Sequence, residues 1–273
     1  MPGSKLTFWL ALCVALIGQS QAVLGEGQED EDIKNAIIRY KTAIEANPNN
    51  PKTRLRLGRM YLLSGDLTGA MVEFKQAIKL SPDDPEAYMG LARAQARKGD
   101  FNGATDSLRQ AVRLDPNNAD PHYKLGQVLS RKQRNDEAIV EFRQAIKLSP
   151  QHSGAHRDLG AALGIKGDTD AQVYEEKKAL EIAPNDPDAY YYLGSAYVAK
   201  GMTAEAVQSL KKCIELDPKN VDAQRLLGVV LAAQGDLQAA IDSEESALKL
   251  DPENQAIKST LQKLKSQSPG KSK

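Results

Sequence analysis

Cysteine, histidine, aromatic residues and net charge are all scarce in this chain, and each shortage narrows what it can be. Its 273 residues hold two cysteines, Cys13 and Cys213, and three histidines, His122, His152 and His156. The sequence has no zinc spacing, no glycine-rich phosphate loop and no nucleophile elbow, so the common metal and catalytic motifs are missing. His152 and His156 are spaced as helical neighbours that could share a metal. His152, however, precedes its helix in a turn, and no third ligand is evident nearby. No metal, cofactor or catalytic residue is assigned, and the chain reads as a non-enzyme. Lys and Arg total 36, and so do Asp and Glu, which removes any global attraction to nucleic acid or anionic lipid. Aromatics are 5% of the residues while Ala, Leu, Lys and Glu abound, as in helical arrays.

What is present is a period. Pro48, Pro82, Pro116, Pro150, Pro184, Pro218 and Pro252 follow one another at steps of 34 residues. A step of that length without slippage is a helix–turn–helix unit that cannot bury its apolar face alone, so neighbouring units must stack. Counting each unit from Pro51, Pro85, Ala119, Ser153, Pro187 and Val221, position seven is Leu57, Leu91, Leu125, Leu159, Leu193 and Leu227. Position eight is Gly58, Ala92, Gly126, Gly160, Gly194 and Gly228. Position twenty is Ala except for Gln172, and position twenty-seven is Ala except for Cys213. Small residues there let two antiparallel helices approach closely, and larger ones would overpack at about 1–3 kcal/mol each. Gly65, Gly99, Gly167, Gly201 and Gly235 should end the first helices in the left-handed conformation that glycine adopts at least cost. The prolines then stop the second helices. Cys213 reads as a small buried filler. His122 and His156 share position four with Tyr88 and Tyr190 and read as aromatic-sized packing residues.

The small residues and the closing prolines, in one register over residues 31–265, closely resemble the tetratricopeptide repeat (TPR) family. The resemblance implies an all-α fold, an α-solenoid of stacked antiparallel helix pairs with a C-terminal capping helix. It places a half repeat at 31–50, repeats at 51–84, 85–118, 119–152, 153–186, 187–220 and 221–254, the cap at 255–265 and a disordered basic tail at 266–273. In the fourth repeat Gln172 stands at position twenty. Glu176 stands where four other tracts have Phe74, Leu108, Phe142 and Leu210. This layer is therefore expected to pack loosely or to leave the Gln172 amide short of partners.

The N-terminus differs in character. Lys5 is the only charge before Glu26, Leu6 to Ile17 is a mostly apolar run of 12 residues, and Ser20-Gln21-Ala22 follows. Residues 1–22 read as a signal peptide cleaved after Ala22, followed by an acidic linker at 23–30. The run is short for a membrane span, which needs about 20 residues, although an uncleaved anchor is the alternative. A lipoprotein reading at Cys13 is weaker, because Leu12 precedes the cysteine where a small residue is wanted. The expected location is periplasmic or secreted, without membrane insertion after cleavage.

The resemblance also implies that the first helix of each repeat, helix A, faces a ligand with positions 2, 5, 9, 12 and 13. By position these include Lys52, Arg59 and Leu62, then Met89, Arg93 and Arg97, then Tyr123, Gln127 and Arg131, then Arg157, Tyr191 and Arg225. Arg59, Arg93, Arg97, Arg131 and Arg157 would form a basic stripe, with Leu62, Met89, Tyr123 and Tyr191 as anchors. Arg and Tyr dominate binding hot spots, and Arg holds carboxylates bidentately. The implied function is binding of a protein or peptide, acidic or with a free carboxylate, and not of nucleic acid. A scaffold role in an envelope or secretion assembly is the alternative. The carboxylate clamp of chaperone-binding TPR proteins needs Asn at groove positions. Here position nine holds Arg59, Arg93 and Gln127, and position six holds Arg56, Gly90 and Lys124, which argues against that partner.

Overall fold

A computed structural model describes residues 30–267. The expected signal peptide, nearly all of the acidic linker and the end of the basic tail lie outside the described residues. Residues 30–46 are helical (α1). Thirteen helices follow: α2 (Pro51–Ser64), α3 (Leu67–Leu80), α4 (Pro85–Arg97), α5 (Phe101–Leu114), α6 (Ala119–Arg131), α7 (Asn135–Leu148), α8 (Ser153–Ile165), α9 (Thr169–Ile182), α10 (Pro187–Ala199), α11 (Thr203–Leu216), α12 (Val221–Ala233), α13 (Leu237–Leu250) and α14 (Gln255–Gln267). No strand occurs among the described residues.

The helix ends follow from local chemistry. Asn50, Asp84, Asn118, Asp186 and Asn220 precede helices A and accept hydrogen bonds from backbone N–H groups of the first turn. Asp66, Asp100, Asp168 and Asp236 do the same for the second helices, helices B. Pro51, Pro85 and Pro187 open their helices, where a missing N–H costs nothing. Gly65, Gly99, Gly167, Gly201 and Gly235 turn the chain with φ between 71° and 86°. In the third repeat that place is taken by Gln133, at φ 58°.

The chain divides into two compact units, one ending at Pro116 and one beginning at Asn117. In the first, α2 pairs with α3 and α4 with α5, α3 packs on α4, and α2 meets α4. In the second, α6 pairs with α7, α8 with α9, α10 with α11 and α12 with α13, and each helix B packs on the next helix A. Helices α6, α8, α10 and α12 also meet in sequence, and α14 closes the stack against α13. Within each unit, then, helices A form a continuous layer.

Position twenty-four fills the pairs. Phe74 is fully buried, and a Cβ on Gly58 would stand 2.8 Å from its ring, so only glycine admits the phenyl group. Phe142, Leu108 and Leu210 occupy the same place and are at most 2% exposed. Truncating such a phenylalanine to alanine costs about 3–5 kcal/mol. Cys213 is fully buried, and burial pushes its thiol pKa up to about 12, which leaves it unreactive.

Candidate partner-binding face

Helices A of the first unit carry an exposed basic surface. Lys52, Arg59 and Arg93 are exposed, and the Arg59 guanidinium pairs with Glu86 of the next helix A. Arg97 is also exposed, but its Nη1 donates to the Leu62 carbonyl, so this arginine ties α4 to α2. Leu62 itself is 4% exposed and belongs to the core, and Met89 is half-buried. An open cleft of about 530 Å³ is lined by Lys52, Leu55, Arg56, Arg59, Ser81, Asp83, Asp84 and Glu86.

The second unit builds the corresponding face differently. Arg131 is exposed, but Arg157 is not a free cation. Its Nη1 lies 2.8 Å from Asp186 Oδ2, and its Nη2 lies 3.0 Å from Asp158 Oδ1. Burial works against the charge, but the two carboxylates outweigh it and raise the guanidinium pKa further. Gln127 Nε2 donates to Asp158 at 2.9 Å and to the Tyr123 hydroxyl at 2.7 Å. Tyr123 is 7% exposed and packs against His152 with the rings tilted by 55° and their centroids 4.3 Å apart. Burial, then Asp158, pushes its hydroxyl pKa up. Tyr191 packs edge-on against Tyr192 at 5.4 Å, and both hydroxyls are raised by burial. Arg225 is half-buried, and its Nε has no hydrogen-bond partner. The arginines read from sequence as one stripe therefore fall into two settings: exposed in the first unit, and at Arg157 bound to aspartates in the second.

Sequence reasoning missed the carboxylates. Asp158 and Asp186 lie off the five assigned positions. Glu176 is 0% exposed with both oxygens unpartnered, and burial pushes its carboxyl up to about 10. Glu244, the same position in the sixth repeat, is 1% exposed, and burial raises it as well, with Arg225 opposing. The expectation for Gln172 needs correcting. Its amide donates to the Tyr192 carbonyl at 3.1 Å, and Gly164 leaves it room, since a Cβ there would meet the Gln172 amide at 2.2 Å. In this layer the group left without a hydrogen-bond partner is Glu176.

The histidines are also engaged. His122 Nδ1 is 2.6 Å from Glu141 and His156 Nδ1 is 2.6 Å from Glu175. These join positions 4 and 23 of the two helices in a pair, as Arg54 and Glu73 do at 2.9 Å. His156 Nε2 also lies 3.1 Å from the Pro150 carbonyl, and His152 caps α8 through Nδ1. No group of three or more His, Cys, Asp or Glu among the described residues could hold a metal.

The same register is found in known proteins. The family model described as Cilia and flagella-associated protein 70 C-terminal domain matches residues 19–224, and that described as Tetratricopeptide repeat matches residues 197–264. The chain belongs to the tetratricopeptide repeat family. Its fold is that of other TPR solenoids. The structure of the APC/C hetero-tetramer Cut9-Hcn1 aligns with a TM-score of 0.72 at 18% identity, over 85% of this chain. The match spans 46% of that protein's chain, so this chain accounts for less than half of it. YrrB, "a TPR protein with an unusual peptide-binding site", aligns with a TM-score of 0.57 at 24% identity, over 67% of this chain and 95% of its own. PilW, "widely conserved type IV pilus biogenesis factor", aligns with a TM-score of 0.70 at 22% identity, over 77% and 98%. At these identities the likeness is one of fold. No curated protein matches the chain in sequence.

Proposed function

We propose that this TPR chain is a non-enzymatic interaction module that takes a peptide or protein segment on its helix-A face. The observation that carries this reading is the continuity of that face within each unit. Arg59 reaches Glu86 and Arg97 reaches Leu62 across one repeat boundary, and Gln127 reaches Asp158 across another. YrrB, described as having a peptide-binding site on the same fold, supports it. The acidic or carboxylate preference belongs to the first unit, where Lys52, Arg56, Arg59 and Arg93 stay exposed. In the second unit Arg157 already has its carboxylates, so Tyr191, Arg225 and Arg131 would make the contacts there, with Tyr123 and Gln127 holding Arg157's partners in place. Residues 1–22 are read as an export signal, so the partner would lie in the periplasm or outside the cell.

A panel of acidic and C-terminal carboxylate peptides tests this. Lys52→Glu with Arg93→Glu should weaken the best binder by at least about tenfold, and wild-type affinity should fall as salt rises. Thermal melting should stay unchanged, because neither side chain is buried. Arg97 is unsuitable for the test, since its loss would also free the Leu62 carbonyl. Equal affinity for wild type and double variant would remove the face from the function.

A further inference from the structure

The helices A change the sign of their charge along the chain. Helices α2 and α4 carry Lys52, Arg54, Arg56, Arg59, Arg93 and Arg97 against a single carboxylate, Glu86. Helices α8, α10 and α12 carry Asp158, Asp188 and Asp222 against Arg157 and Arg225. The turns that lead into α10 and α12 add Asp186, Asp217 and Lys219, so acids exceed bases there by two. Lys166 and Lys200, just past the other ends of α8 and α10, are answered by Asp136 and Asp170. Arg157 is held by Asp186 at 2.8 Å and Asp158 at 3.0 Å, while Asp188 stands off at 3.8 Å with its side chain 60% exposed. Asp222 is exposed and makes no ion pair among the described residues.

Two further features mark this face. Tyr191 and Tyr192 are half-buried on it. Burial and then Asp222 raise the Tyr191 hydroxyl, and burial and then Asp188 raise that of Tyr192, which puts a carboxylate of the face beside each ring. The second feature is Glu176. A side chain at position twenty-four enters between two successive helices A, as Phe74 does against Gly58 and Gly90. Glu176 enters between α8 and α10 in the same way: it lies against Gly160 and neighbours Tyr192, and both its oxygens are unpartnered. The charged groups about it are Arg157 and Asp158 of α8, Asp186 before α10, and Glu175 of its own helix, which is paired with His156. A wholly buried carboxyl without a partner thus lies under the seam where the surplus of acid is exposed.

From these observations we propose that the helix-A side of α8, α10 and α12 is a subsite for a basic side chain of the bound peptide segment, with Asp188 and Asp222 against the cation, the Tyr191 and Tyr192 rings along its stem and Glu176 beneath. The subsite rests on the helix-A face being a peptide-binding surface and names the chemistry one part of it selects. A lysine or arginine uses every member of the set: its charge is attracted by carboxylates and by a tyrosine ring face within about 6 Å, and its methylene stem packs on aromatic surface. A metal ion does not fit, because no group of three or more His, Cys, Asp or Glu among the described residues could hold one. An acidic side chain would meet like charge. A cation over the seam favours the ionised form of Glu176, so binding draws a proton from it.

Capped decapeptides of serine, glycine and leucine, with one central lysine or one central norleucine, test this by titration calorimetry on the full chain. The lysine peptide should bind at least about tenfold more tightly, from two exposed ion pairs and a cation–π contact. Asp188→Asn with Asp222→Asn should abolish that preference and leave the melting curve nearly unchanged, since both side chains are exposed. Burial places Glu176 at about 10 in the free chain. Lysine affinity should therefore rise by at least about threefold from pH 7.5 to 9, and Glu176→Gln should flatten the rise. Equal affinity for the two peptides, an unaltered preference in the double variant, or a flat wild-type pH profile would overturn the proposal. In that event, acidic peptides that still respond to Lys52→Glu with Arg93→Glu would leave the helix-A reading standing, and acidic peptides that do not would remove both.

Discussion

Glu176 is the residue most at odds with its surroundings. Five of the seven tracts have an apolar or aromatic residue at its position, and Glu244 is the other acid there. Glycine at position eight opens the space, and the carboxylate lies against it: a Cβ on Gly160 would stand 2.6 Å from Glu176 Oε1. Burial without a partner favours the neutral acid, with a pKa of about 10 in the folded chain against 4.5 in the unfolded one. The folded state therefore keeps a proton that the unfolded state releases above about pH 4.5. Stability from this group is full in acid and declines as the pH rises toward about 10, by about 3 kcal/mol at pH 7. Glu176→Gln should leave stability near pH 4 almost unchanged. It should raise the melting temperature increasingly at pH 7 and 9, leaving Glu244 to supply the remaining slope. Melting curves that shift in parallel at all three pH values would refute this account.

At the scale of the element, the turn between α6 and α7 breaks the rule its neighbours keep. Five other repeats place Gly at position fifteen, and four place Asp at sixteen. Here the pair is Gln133 and Arg134. Gln133 adopts φ 58° with a Cβ, and Arg134 stands at the N-cap of α7, where its side chain accepts nothing from the backbone N–H groups of the first turn. A left-handed non-glycine residue costs about 1–2 kcal/mol, and an absent N-cap bond costs about 1 kcal/mol. Gln133→Gly should stabilise the second unit by about 1 kcal/mol, read as a shift of the denaturation midpoint at constant slope. A loss of stability would mean that the glutamine amide contributes more than the backbone costs. The histidine pairs act at the same scale. Arg54, His122 and His156 at position four pair with Glu73, Glu141 and Glu175 at twenty-three, whereas the repeats with Tyr88, Tyr190 and Gln224 at position four carry Ser107, Ser209 and Ser243 at twenty-three. This matching is visible in the sequence once the two positions are known to touch. The 3.6-residue period of one helix does not reveal it.

For the whole molecule, repetition makes stability local: each layer depends on its neighbours, so a polar layer such as α8–α9 can persist without unfolding the rest. No helix among the described residues is long and apolar enough to cross a membrane. If residues 1–22 are an export signal, the mature chain begins at or near Val23, and intact-mass measurement of the protein from its native source should show that terminus. A soluble protein retaining Met1 would defeat the export reading and with it the extracytoplasmic partner, while leaving the helix-A face untouched.

The period, and the small residues locked to it, determined the helices, their turns and the TPR assignment, because backbone propensity and pairwise helix packing are written in local spacing. Gly65 and its equivalents and the small residue Ala70 could be read in this way. Which charges are free could not. Arg59 and Arg93 at position nine and Arg157 at position five were all assigned to one helix-A face, yet Arg157 meets Asp158 on its own helix and Asp186 at the start of α10, while Arg93 remains exposed. Gln172 likewise looked unsatisfied until α10 supplied a carbonyl, and Glu176 stayed without a partner because no helix supplied one. A side chain's charge and exposure depend on groups about 30 residues away that only stacking brings within 3 Å. Those partners differ from layer to layer even where the backbone repeats.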